Sequence, residues 1–180
     1  MATAPDDTTT FLKVPPHSIE AESSVLGGLL LDDAAWDAIA GIIGPDDFYL
    51  GDHRNIFRCM QSLSEQNKPI DVITVSDALE EVNELQGLGG LSYISELASN
   101  TPTASNIRAY AGIVQERAIV RKLIAAANEI ADSGFNTQGR DSATLINEAE
   151  SKVFKISQNT SKDFINYIEF GYGIKLIQRS

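Results

Sequence analysis

Apolar residues recur at three- and four-residue spacing through most of the chain, the period of a helix with one face buried. Ser18 is placed to cap a first helix over Ile19–Leu31, with Glu20 and Glu22 in the first turn, where the helix dipole favours acids. Its apolar face is Val25, Leu26, Leu29 and Leu30. Gly27 and Gly28 interrupt it at a cost of about 1 kcal/mol each, which predicts a second helix crossing close by. Asp32 and Asp33 break and recap the chain into a short helix carrying Trp36, Ile39, Ile42 and Ile43. After the Gly44–Asp47 turn, Ile56, Phe57, Met60 and Leu63 mark a helix from about Asp52 to Gln66. The β-branched run after Pro69 has strand character, but Asp71 as a cap with Val72, Val75, Leu79 and Val82 at helical spacing favours a helix into Glu84. A glycine loop at Gly87–Gly90 precedes a short helix ending near Asn100.

The second half of the pattern is longer. From Thr103 to Ser133 there is no proline and one glycine, Gly112, and apolar residues continue from Ile107 through Ala131. A helix of that length extends about 46 Å, more than a compact domain of this size needs. A turn over Gly134–Asp141 returns the chain into a helix from Ser142 to about Ile156, carrying Leu145, Ile146, Ala149, Val153 and Phe154. A helix that outruns its domain and folds back is a hairpin, and its apolar face lacks an intrachain partner, so a second chain is expected to cover it. Val120, Leu123, Ala127, Ile146, Ala149, Val153 and Phe154 are the expected packing residues. The fold class is therefore all-α: a helical head over 12–102, a dimerising hairpin over 103–157, a flexible acidic arm over 1–11 and a divergent tail or linker over 158–180. The tail carries Phe164, Tyr167, Phe170 and Tyr172, then Lys175 and Arg179.

Composition narrows the function. The 180 residues carry 25 acidic and 14 basic side chains, a formal charge of -11, which repels phosphate backbones and argues against tight nucleic-acid binding by this chain. Cys59 is the single cysteine, so an internal disulfide and a cysteine zinc cage are both excluded. With no run of about 18 apolar residues and no signal-peptide pattern, the expectation is a soluble cytoplasmic protein without a membrane partner.

No catalytic constellation emerges. No Gly-x-x-x-x-Gly-Lys-Ser/Thr loop is present, and Gly171-Tyr172-Gly173 lacks the third glycine and the flanking strand and helix of a phosphate loop. His17 and His53 are too few for a metal cluster; His17 reads as a helix-start residue and His53 as a surface or capping residue. The acid pairs at 32–33, 46–47 and 80–81 sit where turns and helix starts attract acids. Cys59 reads as a half-buried packing residue and Trp36 as core. Arg108, Arg117, Arg121 and Lys122 form a basic run, but Glu116, Glu129 and Asp132 interleave it, so a solvated helix face is expected.

Ordered strings then add a family. They are Leu12-Lys-Val-Pro-Pro-His-Ser-Ile-Glu-Ala-Glu22, Val25-Leu-Gly-Gly28, Asp46-Asp-Phe-Tyr49, His53-Arg-Asn-Ile-Phe57, Pro69-Ile-Asp71 and Gly89-Gly-Leu-Ser-Tyr93. Asn100-Thr-Pro102, Ala104-Ser-Asn-Ile107, Tyr110, Ile113-Val-Gln-Glu-Arg117, Ala127-Asn-Glu-Ile130, Gly134-Phe135 and Glu148-Ala-Glu-Ser-Lys-Val-Phe154 continue the series. Collinear from Leu12 to Ile156, they resemble the amino-terminal region of the bacterial replicative DNA helicase, the DnaB family.

The resemblance implies a head and hairpin whose dimers, three to a hexameric ring, form a collar. That collar faces the carboxy-terminal domain of primase and, in some bacteria, the helicase loader. By similarity, Ile124, Ile130 and Leu145 are candidates for the primase-contacting surface, or else for closing the hairpin dimer. Family members carry ATP and Mg in a RecA-like motor that these residues do not include, so no cofactor and no enzymatic activity are expected of this chain. Beyond about Gln158 the family pattern stops. A truncation with its own tail, a foreign end, and a divergent linker helix docking Phe164, Ile165, Ile168 and Ile174 on a neighbour all account for that. Two functions are expected from this: a collar domain that self-associates and gathers primase at the fork, or a free-standing regulator that inhibits replication by entering mixed rings or titrating primase.

Overall fold

The computed structural model describes the backbone of residues 13–171 and the side chains of 13–158. The expected arm over 1–11 lies outside the described residues, as do the side chains of the aromatic and basic residues of the tail. Seven α-helices are present among the described residues: α1 (Ile19–Leu31), α2 (Trp36–Ile39), α3 (Gly51–Glu65), α4 (Val72–Glu81), α5 (Gly90–Ser99), α6 (Ile107–Phe135) and α7 (Ser142–Gly171). Two 3-10 turns, Asp33–Ala35 and Pro45–Asp47, bracket α2.

Helix α1 is the axis of the head, packed against α3, α5 and the first half of α6. Its start is set by the Ser18 hydroxyl, which accepts from the Ala21 amide at 3.2 Å. Its glycines have the packing reason their cost predicts. A Cβ on Gly27 would stand 2.0 Å from Thr101 Oγ1 and 2.2 Å from the Leu97 carbonyl oxygen, so only hydrogen fits where α5 ends against α1. At Gly28 the neighbour is Ile107, the first residue of α6, 3.1 Å away. The core around α1 is aliphatic and aromatic. Phe57 sits between Trp36, at 5.2 Å between centroids, and Phe48, at 4.8 Å.

Helix rather than strand follows Pro69 because Asp71 caps it. Its Oδ1 accepts from the Ile73 and Thr74 amides at 2.8 and 2.9 Å, and Thr74 Oγ1 returns a bond to the Asp71 amide. The helix ends at Glu81 rather than Glu84, since Asn83 adopts a left-handed φ of 58° and the Glu84 amide closes back on the Leu79 carbonyl.

Two boundaries of the hairpin also depart from the pattern. Helix α6 begins at Ile107 rather than Thr103, because the Thr103 hydroxyl accepts from the Ser105 amide and holds a turn there. Helix α7 continues to Gly171, well past Ile156. Between Ala143 and Phe170 there is neither proline nor glycine, so nothing in the sequence stops it.

Candidate functional site

Helix α6 changes environment along its length. Ile107, Ala111, Val114 and Ala118 are buried, whereas Leu123, Ile124 and Phe135 are exposed; α6 packs on α1 and α2 of the head and on α7. Within the hairpin, Ala126 is buried, and Ile130, Leu145 and Ala149 are half-buried around a small cavity of about 200 Å³ between the two helices. Polar pairs brace the same seam: Glu129 with Lys152, and Arg140 with Glu148 at 2.5 Å. The Lys152 ammonium holds the Glu129 carboxyl below its usual range through their hydrogen bond and charge. Asp141 starts α7 by accepting from the Thr144 amide.

The residues expected to pack the hairpin therefore divide. Ala149 lies at the seam and Val120 is half-buried, but Leu123, Ala127, Ile146, Val153 and Phe154 are exposed in the single chain, Ile146 by 58% and Phe154 by 59%. Among the three candidates for partner contact, Ile124 is 43% exposed, whereas Ile130 and Leu145 line the interhelical cavity. Ala126 escapes the apolar pattern because alanine gives a weak periodic signal.

The junction of head and hairpin corrects the reading of the basic run. Arg117 and Lys122 are exposed as expected, but Arg121 is half-buried and not part of a solvated face. The Arg121 guanidinium donates to the Pro16 carbonyl at 2.8 Å and to the Asp47 carbonyl, and it lies over the Tyr49 ring. Burial lowers its basicity, and Glu22 and Asp47 oppose that shift. Lys122 pairs with the Asp47 carboxylate at 2.7 Å. His17, at the start of α1 as expected, stacks on Tyr49 at 4.2 Å. Gln115 adds a bond to the Ile42 carbonyl. The base of the hairpin is thus clamped to the segment before α1 and to the turn before α3.

A second correction concerns His53, which is fully buried, not a surface residue. Its Nδ1 meets Glu22 Oε2 at 2.8 Å and its Nε2 meets the Tyr93 hydroxyl at 2.8 Å. Glu22 is 1% exposed and also accepts from the Tyr49 and Leu50 amides at 2.6 and 3.3 Å. A carboxylate so deeply buried survives because every oxygen is met by a donor. Both ring nitrogens of His53 thus have a partner. Burial pushes the Tyr93 phenol up, reinforced by Asp52, Glu96 and Glu22. The signal for this trio was available: Glu22, His53 and Tyr93 each sit in a string that carries the family resemblance.

Cys59 packs against the core as expected, with Sγ 3.8 Å from the Val75 carbonyl oxygen. Burial, with Glu84 and Glu81 nearby, pushes its thiol up to about 11, which leaves it a poor nucleophile. Among the described residues no cluster of three or more His, Cys, Asp or Glu could hold a metal, and no helix is long and apolar enough to cross a membrane.

The described residues thus form a helical head and a long hairpin that leaves apolar residues exposed. The model of the DnaB-like helicase N-terminal domain matches residues 14–116, and the chain belongs to that family. It is 50% identical to the replicative DNA helicase DnaB of Pasteurella multocida over 145 residues, 81% of this chain and 31% of that protein. The corresponding protein of Geobacillus stearothermophilus is 41% identical over 146 residues. The chain thus spans about a third of the length of the curated relatives it matches. The crystal structure of the N-terminal domain of DnaB from Mycobacterium tuberculosis superposes with a TM-score of 0.76 at 34% identity, covering 79% of this chain and 99% of that one. A DnaB-like replicative helicase studied with its primase interactions superposes at 0.67 with 24% identity, which supports the fold alone.

Proposed function

We propose that this chain is the collar domain of a replicative DNA helicase in a bacterial primosome. It self-associates through its hairpin and docks the carboxy-terminal domain of primase during DNA replication, in the cytoplasm. The observation that carries this reading is the row of exposed apolar side chains on the hairpin, Leu123, Ile124, Ile146, Val153 and Phe154, in a chain of this family. Apolar surface that extends beyond its own domain is covered by a partner when it functions. A hairpin is suited to that task, because two antiparallel helices offer both an edge for a second copy and a groove for a partner helix. Primase is the partner proposed because the family resemblance implies it, and the fold neighbour was itself described with primase. A loader would meet the same collar, and ATP and Mg would be held in a motor domain of the kind the longer relatives carry.

Light scattering after size exclusion, repeated with Ile124→Asp, tests the reading. A dimer or hexamer that falls to monomer in the variant supports hairpin pairing through Ile124. Calorimetry with the carboxy-terminal domain of primase tests the second half, with a 1:1 or 1:2 complex expected. A wild-type monomer that binds no primase overturns the proposal, and a monomer that still captures primase favours the free-standing regulator.

A further inference from the structure

The buried Glu22–His53–Tyr93 chain and the hairpin clamp are not separate features. Glu22 holds the Tyr49 and Leu50 amides. The Tyr49 ring is the surface on which His17 stacks and over which Arg121 lies. Arg121 and Lys122 in turn grip Pro16 and Asp47, on either side of that ring. A continuous path of hydrogen bonds and ring contacts thus runs from α5, through α3 and α1, to the base of the hairpin on α6.

We propose that this path is a positioning device: Tyr93 and His53, inside the head, set the angle at which the hairpin leaves it. The last fully buried apolar residue of the first half of α6 is Ala118, with Ile119 and Val120 half-buried after it. Further along the helix Arg121 binds the Pro16 and Asp47 carbonyls and Lys122 the Asp47 carboxylate, and Asp47 lies two residues before Tyr49, the first of the two amides that Glu22 holds. Tyr93 fixes the ring of His53, His53 fixes the Glu22 carboxylate, and Glu22 fixes Tyr49. Leverage makes the effect measurable. The helix runs 14 residues from Arg121 to Phe135, about 21 Å, so a tilt of about 10° at the base moves its far end by roughly 4 Å.

Spin labels at Glu65→Cys on α3 and Asp132→Cys on α6, in a Cys59→Ser background and diluted with unlabelled protein, report the head-to-hairpin distance by pulsed electron resonance. Arg121→Gln removes the clamp directly and, for a tilt of about 10°, should broaden or shift the distribution by about 3 Å at Asp132. Tyr93→Phe, which deletes one oxygen atom and leaves the core filled, should shift it in the same direction, as should His53→Gln. Val75→Ala loosens the core on α4, away from the path, and should leave the distribution alone. An unchanged distribution in Tyr93→Phe overturns the proposal whatever His53→Gln does. Equal broadening in Val75→Ala also overturns it, since the effect would then be general loosening of the head.

Discussion

The head and the hairpin are made of the same kind of amphipathic helix, and α6 belongs to both. In its first half every third or fourth residue, Ile107, Ala111, Val114 and Ala118, is buried against α1 and its neighbours. In its second half the same periodicity continues, yet Leu123 and Ile124 are exposed. The head encloses its apolar residues on several sides, with α1 surrounded by α3, α5 and α6, whereas α7 packs on α6, with Leu123, Ile124, Ile146, Val153 and Phe154 of the two helices left exposed. Two helices cannot bury a full apolar stripe on each other; a third body is needed. The head covers its apolar residues within one chain, and the proposed collar would cover those of the hairpin with a second. The polar groups differ in the same way, since the head buries its Glu22–His53 pair and the hairpin wears its Glu129–Lys152 pair outside.

Matched substitutions in the two regions test that contrast. Phe57→Ala should cost the head about 3–5 kcal/mol in urea unfolding. Phe154→Ala should leave unfolding of the isolated chain nearly unchanged and weaken only its self-association. Equal losses would mean that the hairpin is a closed core after all.

Gly27→Ala should cost about 3 kcal/mol, because the added carbon meets a backbone carbonyl that cannot yield. Gly134→Ala, in open space on the same kind of helix, should instead stabilise by up to about 1 kcal/mol. Thermal melts of the two variants shifting in the same direction would break the comparison.

Cys59 should react with iodoacetamide at pH 8 about 100-fold more slowly than a cysteine placed on the hairpin by Ser151→Cys, since burial holds its thiolate back. The same thiol links stability to pH. Below pH 9 it is protonated in both folded and unfolded chains, so it leaves stability unchanged. Between pH 9 and 11 the unfolded chain gives up its proton first and stability falls.

Glu22→Gln should cost about 2 kcal/mol, the loss of charge-assisted bonds to the buried His53 and two amides. Glu129→Gln on the hairpin should have no measurable effect on unfolding at moderate salt, because an exposed pair is screened. A large effect there would mean that the hairpin seam is sealed from water.

Much of the fold was legible because local rules acted alone. Ser18 and Asp71 capped the helices they were expected to cap, and Gly27 marked the crossing where α5 meets α1. The site was less legible. His53 read as a surface residue because its two partners are 31 and 40 residues away in the chain, beyond the reach of any local pattern. Arg121 read as solvated because interleaved acids along a helix say nothing of an acceptor such as the Pro16 carbonyl, 105 positions distant.

By itself, the sequence determined an all-helical chain, the order of its helices and the excess of apolar surface in its second half, all properties of spacing and capping within a few residues. Only the tertiary structure decided which of those apolar residues are covered, that a carboxylate and an imidazole are buried together in the head, and that the hairpin is clamped at its base. Those outcomes depend on pairs of groups brought together by packing. The free energy of a buried charge or an exposed side chain is set by what surrounds it in space, not by its neighbours along the chain.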